Sequence, residues 1–300
     1  MAVESVRILI PTLNEEATIG PLVEEFVRAG YPVLVADGHS TDRTAERARA
    51  AGAEVMLQQG KGKGAAVVQA LRAIREPIVL MVDGDGTYLP AEAERLLEPV
   101  RKGVADHVVG NRFVHPERGA FTRLNFFGNK VLNKVFGLGY GVWLSDILSG
   151  YRALRREAMA GLNLDRSGFE IEAEMTIESV KRGLRLAEVP ITYKPRASGV
   201  RAKLHPLRDG LRIFWTLTSL AKTYNPAFLL FPLGLGLAGT GTALGLFVLY
   251  DYAARGATHV FLTLAAGALF LVGLQILVFS SLANLQVLLH RELMRELKKK

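Results

Sequence analysis

The chain has 300 residues, 49% of them hydrophobic and 22% charged, enough apolar material for one core domain and an appendage. It has no cysteine, so a disulfide framework is excluded and a reducing compartment suits it. The formal net charge of +8 is gathered in clusters around Arg123, Lys130 and Lys134, around Arg196, Arg201, Lys203, Arg208 and Arg212, and at Lys298-Lys299-Lys300. These clusters are interleaved with Phe, Leu and Trp and lie near two uncharged stretches, so they point to anionic lipid or a phosphate-bearing substrate and away from nucleic acid.

Met1-Ala2-Val3-Glu4-Ser5 is neither basic nor followed by a long apolar run, and is not read as a signal peptide. Short β-branched runs then alternate with helical patterns. Strands are predicted at Val6–Ile10, Val33–Ala36, Glu54–Leu57, Ile78–Val82 and His107–Val109, and helices near Thr18–Ala29, Thr41–Ala51, Ala65–Ile74 and Ala91–Arg101. This alternation predicts an α/β, Rossmann-like domain with a mostly parallel sheet covered on both faces. Ligands of such sheets collect at the carboxyl ends of the strands. Pro11-Thr12-Leu13-Asn14-Glu15, Asp37-Gly38-His39-Ser40-Thr41-Asp42 and Asp83-Gly84-Asp85 all fall there.

From Val114 to Leu138 the pattern turns amphipathic, with Phe121, Leu124, Phe127, Val131 and Val135 at helical spacing. Either a core-facing helix or a helix at a lipid interface fits it. Pro206 to Thr223 has proline at a first-turn position and carries Leu207, Leu211, Phe214, Trp215 and Leu220 among basic residues. It runs into two uncharged stretches, Pro226 to Tyr250 and Gly256 to His290, each longer than the ~20 residues that cross a hydrocarbon core. They predict a transmembrane helical hairpin, with Gly234, Gly236, Gly241 and Gly245 as a packing face. Lys222, Arg291, Arg295 and the terminal lysines flank its outer ends, whereas the connection has only Arg255, which puts both ends in the cytoplasm. The expected organisation is a catalytic domain over residues 1–203 with an acceptor-side helix near 118–137, an interface helix over 204–224, two membrane helices over 225–290 and a basic tail over 291–300.

Asp83 and Asp85 leave a buried-looking strand one residue apart, flanked by glycines. They can hold a magnesium or manganese ion against a diphosphate, a leaving group that such an ion neutralises without proton transfer. Asp37 is a candidate acceptor of hydrogen bonds from a base or ribose, while Asp42 either contacts ligand or caps the next helix. Gly60-Lys61-Gly62-Lys63-Gly64 opens a helix and suits phosphate or nucleotide contact through Lys63, but lacks the spacing of an ATPase loop. Arg112, Arg123 and Arg152 are candidates to gather around a phosphate. His39 and His115 show no metal-ligand spacing.

Pro11 to Glu15, Asp37 to Asp42, Gly62-Lys63-Gly64, Asp83-Gly84-Asp85, Gly110-Asn111-Arg112 and Asp146-Ile147-Leu148-Ser149-Gly150-Tyr151-Arg152 together resemble the family 2 inverting glycosyltransferases of GT-A fold. Within them the chain, through about Asn225, is similar to the polyprenyl-phosphate group, the dolichyl-phosphate mannose or glucose synthases. The wording of Asp37 to Asp42, Asp83 to Tyr88 and Leu204-His205-Pro206 resembles most the archaeal dolichyl-phosphate hexosyltransferases of N-glycosylation. The resemblance implies a donor nucleotide against Pro11, Thr12, Glu15, Asp37, Lys63, Asp83 and Gly84, and a cation (Mg²⁺ or Mn²⁺) on Asp83 and Asp85. It implies an acceptor phosphate on Arg112, Arg123, Ser149 and Arg152, a loop closing on phosphates with Arg201 and Lys203, and Asp85, Asp146 and Arg112 at the chemistry. The partners it implies are a nucleoside diphosphate sugar, UDP-glucose-like or GDP-mannose, a polyprenyl or dolichyl phosphate and the bilayer; the hairpin glycines permit an oligomer. Mannose synthases often have Asp-Asp-Gly-Ser where this chain has Asp37-Gly38-His39-Ser40, and Gln where it has Thr87, so donor base and sugar stay open. A membrane polysaccharide synthase and a nucleotide-sugar-binding scaffold are the alternatives.

Overall fold

The computed structural model describes residues 5–196, 206–225 and 227–299. Its elements in chain order are β1 (Val6–Thr12), α1 (Glu16–Arg28), β2 (Val33–Asp37), α2 (Thr44–Ala50), β3 (Glu54–Leu57), α3 (Lys63–Ala73), β4 (Ile78–Met81), α4 (Ala93–Arg101), β5 (His107–Pro116) and α5 (Arg123–Tyr140). Then come β6 (Arg152–Arg155), α6 (Arg156–Ala160), α7 (Ile171–Lys181), β7 (Leu186–Tyr193), α8 (Pro206–Tyr224), α9 (Ala227–Arg255) and α10 (Val260–Lys299). By its contacts the chain divides into a sheet body reaching Leu217, without residues 138–140, and a helical body made of those residues and Thr218 onward.

The seven strands form one sheet in the order β3-β2-β1-β4-β6-β5-β7. Pairings are parallel except where β6 enters antiparallel between β4 and β5. Side chains alternate across a strand, so β1 and β4 each feed two cores. Ile8, Ile10, Ile78 and Leu80 pack with Ile19, Val23 and Phe26 of α1 and Leu96, Leu97 and Val100 of α4. Leu9, Val79 and Met81 pack on the other face with Val67 and Ala70 of α3 and Ile171 and Met175 of α7. Covering both faces is what makes the near-continuous apolar runs of β1, β2 and β4 necessary. The predicted mostly parallel, two-faced sheet is the one observed.

α5 begins where the Thr122 side chain accepts the Asn125 N–H and ends at Gly141, whose φ of +71° stops it. Leu132 and Phe136 are buried, but Leu124, Phe127 and Val131 lie exposed on another side. The apolar spacing read from the sequence is thus not a core-facing stripe. α8 is divided likewise, with Ile213 and Leu217 buried and Leu211 and Trp215 exposed.

α9 and the segment Val260–Leu289 of α10 have mean hydropathies of 1.6 and 2.3 and are long and apolar enough to cross a membrane. They pack where glycine removes the side chain. A Cβ on Gly241 would stand 2.5 Å from the Phe270 amide nitrogen, and one on Gly234 2.9 Å from the Gly273 carbonyl oxygen. Gly236 and Gly245, expected on the same face, have nothing within 4 Å, and Gly273, not anticipated, does the work on α10. At the turn, Asp251 receives His259 at 2.7 Å and Arg255 at 3.4 Å.

Candidate active site

Strand ends β1, β2 and β4 bring three loops together. Thr12 pairs in register with Asp37, and the Gly38 N–H donates to the Thr12 carbonyl at 2.8 Å. The next residues lock the two loops reciprocally: the Asn14 N–H donates to Ser40 Oγ at 2.8 Å, and the Thr41 N–H to Asn14 Oδ1 at 2.7 Å. Asn14 and His39 hold positive φ angles of 49° and 64°, a conformation that costs a non-glycine residue about 1 kcal/mol or more. Asp37, 1% exposed, accepts the Ser40 N–H and hydroxyl. Pro11 and Glu15 are buried beside it, the Glu15 N–H donating to Thr44 Oγ1 at 2.8 Å. Asp42 accepts N–H groups from Thr44 at 3.0 Å and Glu16 at 3.3 Å, besides the Thr44 hydroxyl. Burial alone would raise its carboxyl; these donors outweigh it and hold the pKa below the ordinary value. These bonds fit the reading in which it anchors the start of α2.

Gly84 is pressed against Thr12, where a Cβ would stand 2.9 Å from Thr12 Oγ1. That hydroxyl is buried and has no hydrogen-bond partner among the described residues. The Thr18 hydroxyl fixes the Gly84 carbonyl at 2.6 Å. Asp85 is buried: Oδ1 accepts from the Thr87 hydroxyl at 2.6 Å, and Oδ2 takes Nε and Nη2 of Arg196, each at 2.8 Å. Burial pushes the Asp85 carboxyl up, but the Arg196 guanidinium and Thr87 outweigh it and leave the pKa lowered. Thr87, a departure from mannose synthases, here secures an aspartate.

Lys63 reaches Asp83 Oδ1 at 2.5 Å and also pairs with Glu172 of α7. Burial would lower the Lys63 pKa, but the two carboxylates more than reverse that and raise it. The glycines around Lys63 answer to packing. A Cβ on Gly62 or Gly64 would run into the carbonyls of Ser167 and Arg166, and the Gly64 N–H donates to Ser167 O at 2.8 Å. So Lys63 stays a candidate phosphate ligand, while its glycines serve to admit a neighbouring loop.

Arg112 lies inside β5, not after it. Its Nε and Nη2 grip Asp146 Oδ2 and Oδ1 at 2.7 and 2.8 Å, and its backbone N–H donates to Oδ2 at 3.1 Å. The guanidinium carbon stands 5.2 Å from the Tyr193 ring centroid and 5.6 Å from that of Phe121. Burial alone would lower the Arg112 pKa, but the Asp146 carboxylate more than reverses that and raises it. Glu188 accepts the N–H groups of Ser145 and Asp146, both at 2.8 Å, and so fixes the loop.

The loop that starts at Asp146 reaches Asp83 four residues on. The Gly150 N–H donates to the Tyr88 hydroxyl at 3.0 Å, and the Gly150 Cα lies so close to the Asp83 carboxylate that a side chain there has no room. Gly150→Ala is therefore expected to displace Asp83 and lower transfer about 10- to 100-fold with little loss of thermal stability, checked by initial rates beside a melting curve.

The structure places the candidates for the acceptor phosphate in different settings. Arg152 and Ser149 are fully buried. Arg152 Nε donates to Ser149 O at 2.7 Å, Nη2 to Ile147 O at 2.5 Å and Nη1 to Thr176 Oγ1 at 2.8 Å, with His107 beside it. Through these bonds it holds the 146–149 loop. Burial lowers its pKa to about 10, so it stays charged at neutral pH, while burial and Arg152 keep His107 neutral. Arg123 stands exposed on the first turn of α5, and among the described residues no contact joins it to the Arg112 pair. Arg201 and Lys203 lie outside the described residues. Glu172 and Arg196, which pair with Lys63 and Asp85, were not among the predicted site residues.

Asp83 and Asp85 offer hard carboxylate oxygens, suited to magnesium or manganese. Among the described residues no cluster of three metal-ligating side chains exists. Such an ion would draw its remaining oxygens from substrate and water, as suits a site that binds cation and diphosphate together.

The description of glycosyl transferase family 2 matches residues 7–162. The chain is 44% identical over 296 residues to glycosyltransferase AglJ of Haloferax volcanii, covering 98% of this chain and 97% of that one. It is 34% identical to the dolichyl-phosphate hexose transferase of the same organism, over 70% of this chain and 91% of that one. Glucosyl-3-phosphoglycerate synthase of Mycobacterium tuberculosis, solved with Mn²⁺ and UDP-glucose, superposes with a TM-score of 0.61 at 26% identity, over 73% of this chain and 80% of that one. A GT-A sheet with paired carboxylates at its strand ends defines a nucleotide-sugar-dependent class of enzyme. This chain belongs to glycosyl transferase family 2.

Proposed function

We propose that the enzyme transfers a hexose from a nucleoside diphosphate sugar, UDP-glucose-like by preference with GDP-mannose the other candidate, to a polyprenyl or dolichyl phosphate at the cytoplasmic face of a membrane, inverting the anomeric centre. The observation that carries this is the convergence of the acidic loop and the Arg112–Asp146 pair through β7 and the 146–150 loop. Tyr193 ends β7 over Arg112, and three residues later Arg196 reaches Asp85. The same short loop runs from Asp146 on Arg112 to Gly150 on Asp83. A diphosphate at the acidic loop and a phosphate at Arg112 would thus be held by one connected framework.

Pro11, Thr12, Glu15, Asp37 and Gly84 would line the nucleotide, and the Thr12 hydroxyl, unpartnered among the described residues, is a donor and acceptor ready for it. Asp83 and Asp85 would hold a magnesium or manganese ion, which when bound neutralises the charge that develops on the departing diphosphate. Arg112, its guanidinium fixed by Asp146 and the two rings, would place the acceptor phosphate in line with the anomeric carbon. A phosphate oxygen then forms the new glycosidic bond as the bond to the diphosphate breaks. A phosphate monoester with a second pKa of about 6 is already largely dianionic at neutral pH, so no strong base is required. Asp146 has both oxygens engaged by Arg112 and serves to orient it.

The uncovered apolar residues of α5 and α8 and the two apolar helices support a membrane setting for a lipid acceptor. The basic flanks around Lys222 and Arg291 against the single Arg255 of the connection support cytoplasmic ends. Radiolabelled UDP-glucose and GDP-mannose, offered with a polyprenyl phosphate and Mg²⁺ or Mn²⁺, test the proposal. Label in the lipid phase is expected. Label in polymer means a polysaccharide synthase, and label in neither fraction means a scaffold.

A further inference from the structure

Each acid of the candidate cation site already carries a protein cation. Asp83 Oδ1 is taken by Lys63 at 2.5 Å, and Asp85 Oδ2 by two guanidinium nitrogens of Arg196 at 2.8 Å. The other Asp85 oxygen is engaged by Thr87, and the rest of the Asp83 carboxylate lies against Gly150. A divalent ion needs lone pairs from these same carboxylates, and an ammonium or guanidinium resting on them opposes it by both occupancy and charge.

We propose that cation binding here is an exchange: Lys63 and Arg196 leave Asp83 and Asp85 as the divalent ion arrives and transfer to the oxygens of the nucleoside diphosphate. Glu172 is a positioning residue that keeps Lys63 in the site throughout. This rests on the donor reading given above. The charges make the coupling necessary. Asp83, Asp85 and Glu172 contribute −3, and Lys63 and Arg196 contribute +2, so the cluster stands at −1. A divalent ion alone turns it to +1 in a partly desolvated pocket, a surplus that an added anion relieves. The diphosphate is that anion. It accepts the two displaced cations, so ion and nucleotide strengthen each other's binding by the same factor.

Glu172 matters because Lys63 would otherwise lose its sole acidic partner on release. Glu172 is 3% exposed on α7 and lies beside Lys63 in the same buried space. Lys63 freed from Asp83 therefore stays charged and within reach of the site. Arg196 is held differently: its side chain is 32% exposed, so it can swing on a tether at the end of β7 without a buried partner.

The test measures free Mn²⁺ by electron paramagnetic resonance with the full-length protein in lipid nanodiscs, with and without UDP or GDP. Wild type is expected to bind Mn²⁺ weakly alone and at least about tenfold more tightly with nucleotide. Arg196→Gln is expected to bind Mn²⁺ about tenfold more tightly than wild type without nucleotide, and to gain less from nucleotide. Lys63→Gln should do the same. Because it leaves buried Glu172 and half-buried Asp83 together and risks the fold, the more exposed Arg196→Gln decides the matter if Lys63→Gln does not fold. Glu172→Gln should weaken nucleotide binding in the presence of Mn²⁺, and the double variant Lys63→Gln with Glu172→Gln should bind nucleotide no more weakly than Lys63→Gln alone, which a merely structural role would not produce. If Arg196→Gln binds Mn²⁺ no more tightly than wild type in the absence of nucleotide, the exchange is wrong while the donor reading stands. If wild type binds no Mn²⁺ even with UDP or GDP, both are wrong.

Discussion

Replacing Asp85 with alanine is expected to lower hexose transfer by about a thousandfold or more. The residue is 5% exposed, and its carboxylate organises Thr87 on one side and Arg196 on the other. Removing it takes away half of the protein's contribution to the cation site and leaves Arg196 without its carboxylate partner. The fold should survive. Thr87 loses an acceptor worth about 1 kcal/mol, and Arg196 is exposed enough to turn toward water. Initial rates at saturating Mn²⁺, read beside a thermal melt, check this. Transfer within tenfold of wild type would show that the leaving diphosphate is stabilised elsewhere.

Arg112 carries the second large effect. Arg112→Lys is expected to reduce transfer about 10²- to 10³-fold, because an ammonium cannot reproduce the forked grip on Asp146 or the stacking between Phe121 and Tyr193. Arg112→Met would also leave the fully buried Asp146 without its cation, a loss of about 3–5 kcal/mol in stability that would confuse the reading. The partner variant separates orientation from proton removal. Asp146→Asn is expected to cost about 10- to 100-fold with an unchanged pH–rate profile, since an orienting residue transfers no proton. A loss near 10⁴ together with a vanished acidic limb would make Asp146 a general base.

The half of the sheet that carries the acidic loops was readable from the chain because its residues have no choice. β1, β2 and β4 are covered on both faces, which demands unbroken runs such as Ile78-Val79-Leu80-Met81, and their ends fall where polar loops begin. β6 escaped notice because it is four residues long and begins and ends with arginine. Its antiparallel entry between β4 and β5 depends on partners far along the chain. β7 contains Pro190 and lies at the sheet edge, where proline is tolerated and alternation is weak.

The Asp146–Arg152 segment was less legible for a related reason. Gly150-Tyr151-Arg152 has the look of a polar loop, yet Arg152 points into the protein, where Thr176, His107 and two carbonyls await it. Nothing local distinguishes a guanidinium that meets a phosphate from one that holds a loop. Glu172 and Arg196 went unread because their partners, Lys63 and Asp85, lie more than a hundred residues away in sequence. One signal was available: a buried-looking helix, Ile171 to Val180, carries Glu172, Glu174 and Glu178, and buried acids imply cationic or backbone partners.

The most direct measurement is the anomalous scattering of manganese in crystals of the enzyme grown with Mn²⁺ and a non-transferable nucleotide-sugar analogue. The expected result is a single strong peak within coordination distance of Asp83 or Asp85 and of the diphosphate. A peak elsewhere, or a fully bound nucleotide with no peak at the acidic loop, would contradict a cation-assisted departure at these carboxylates.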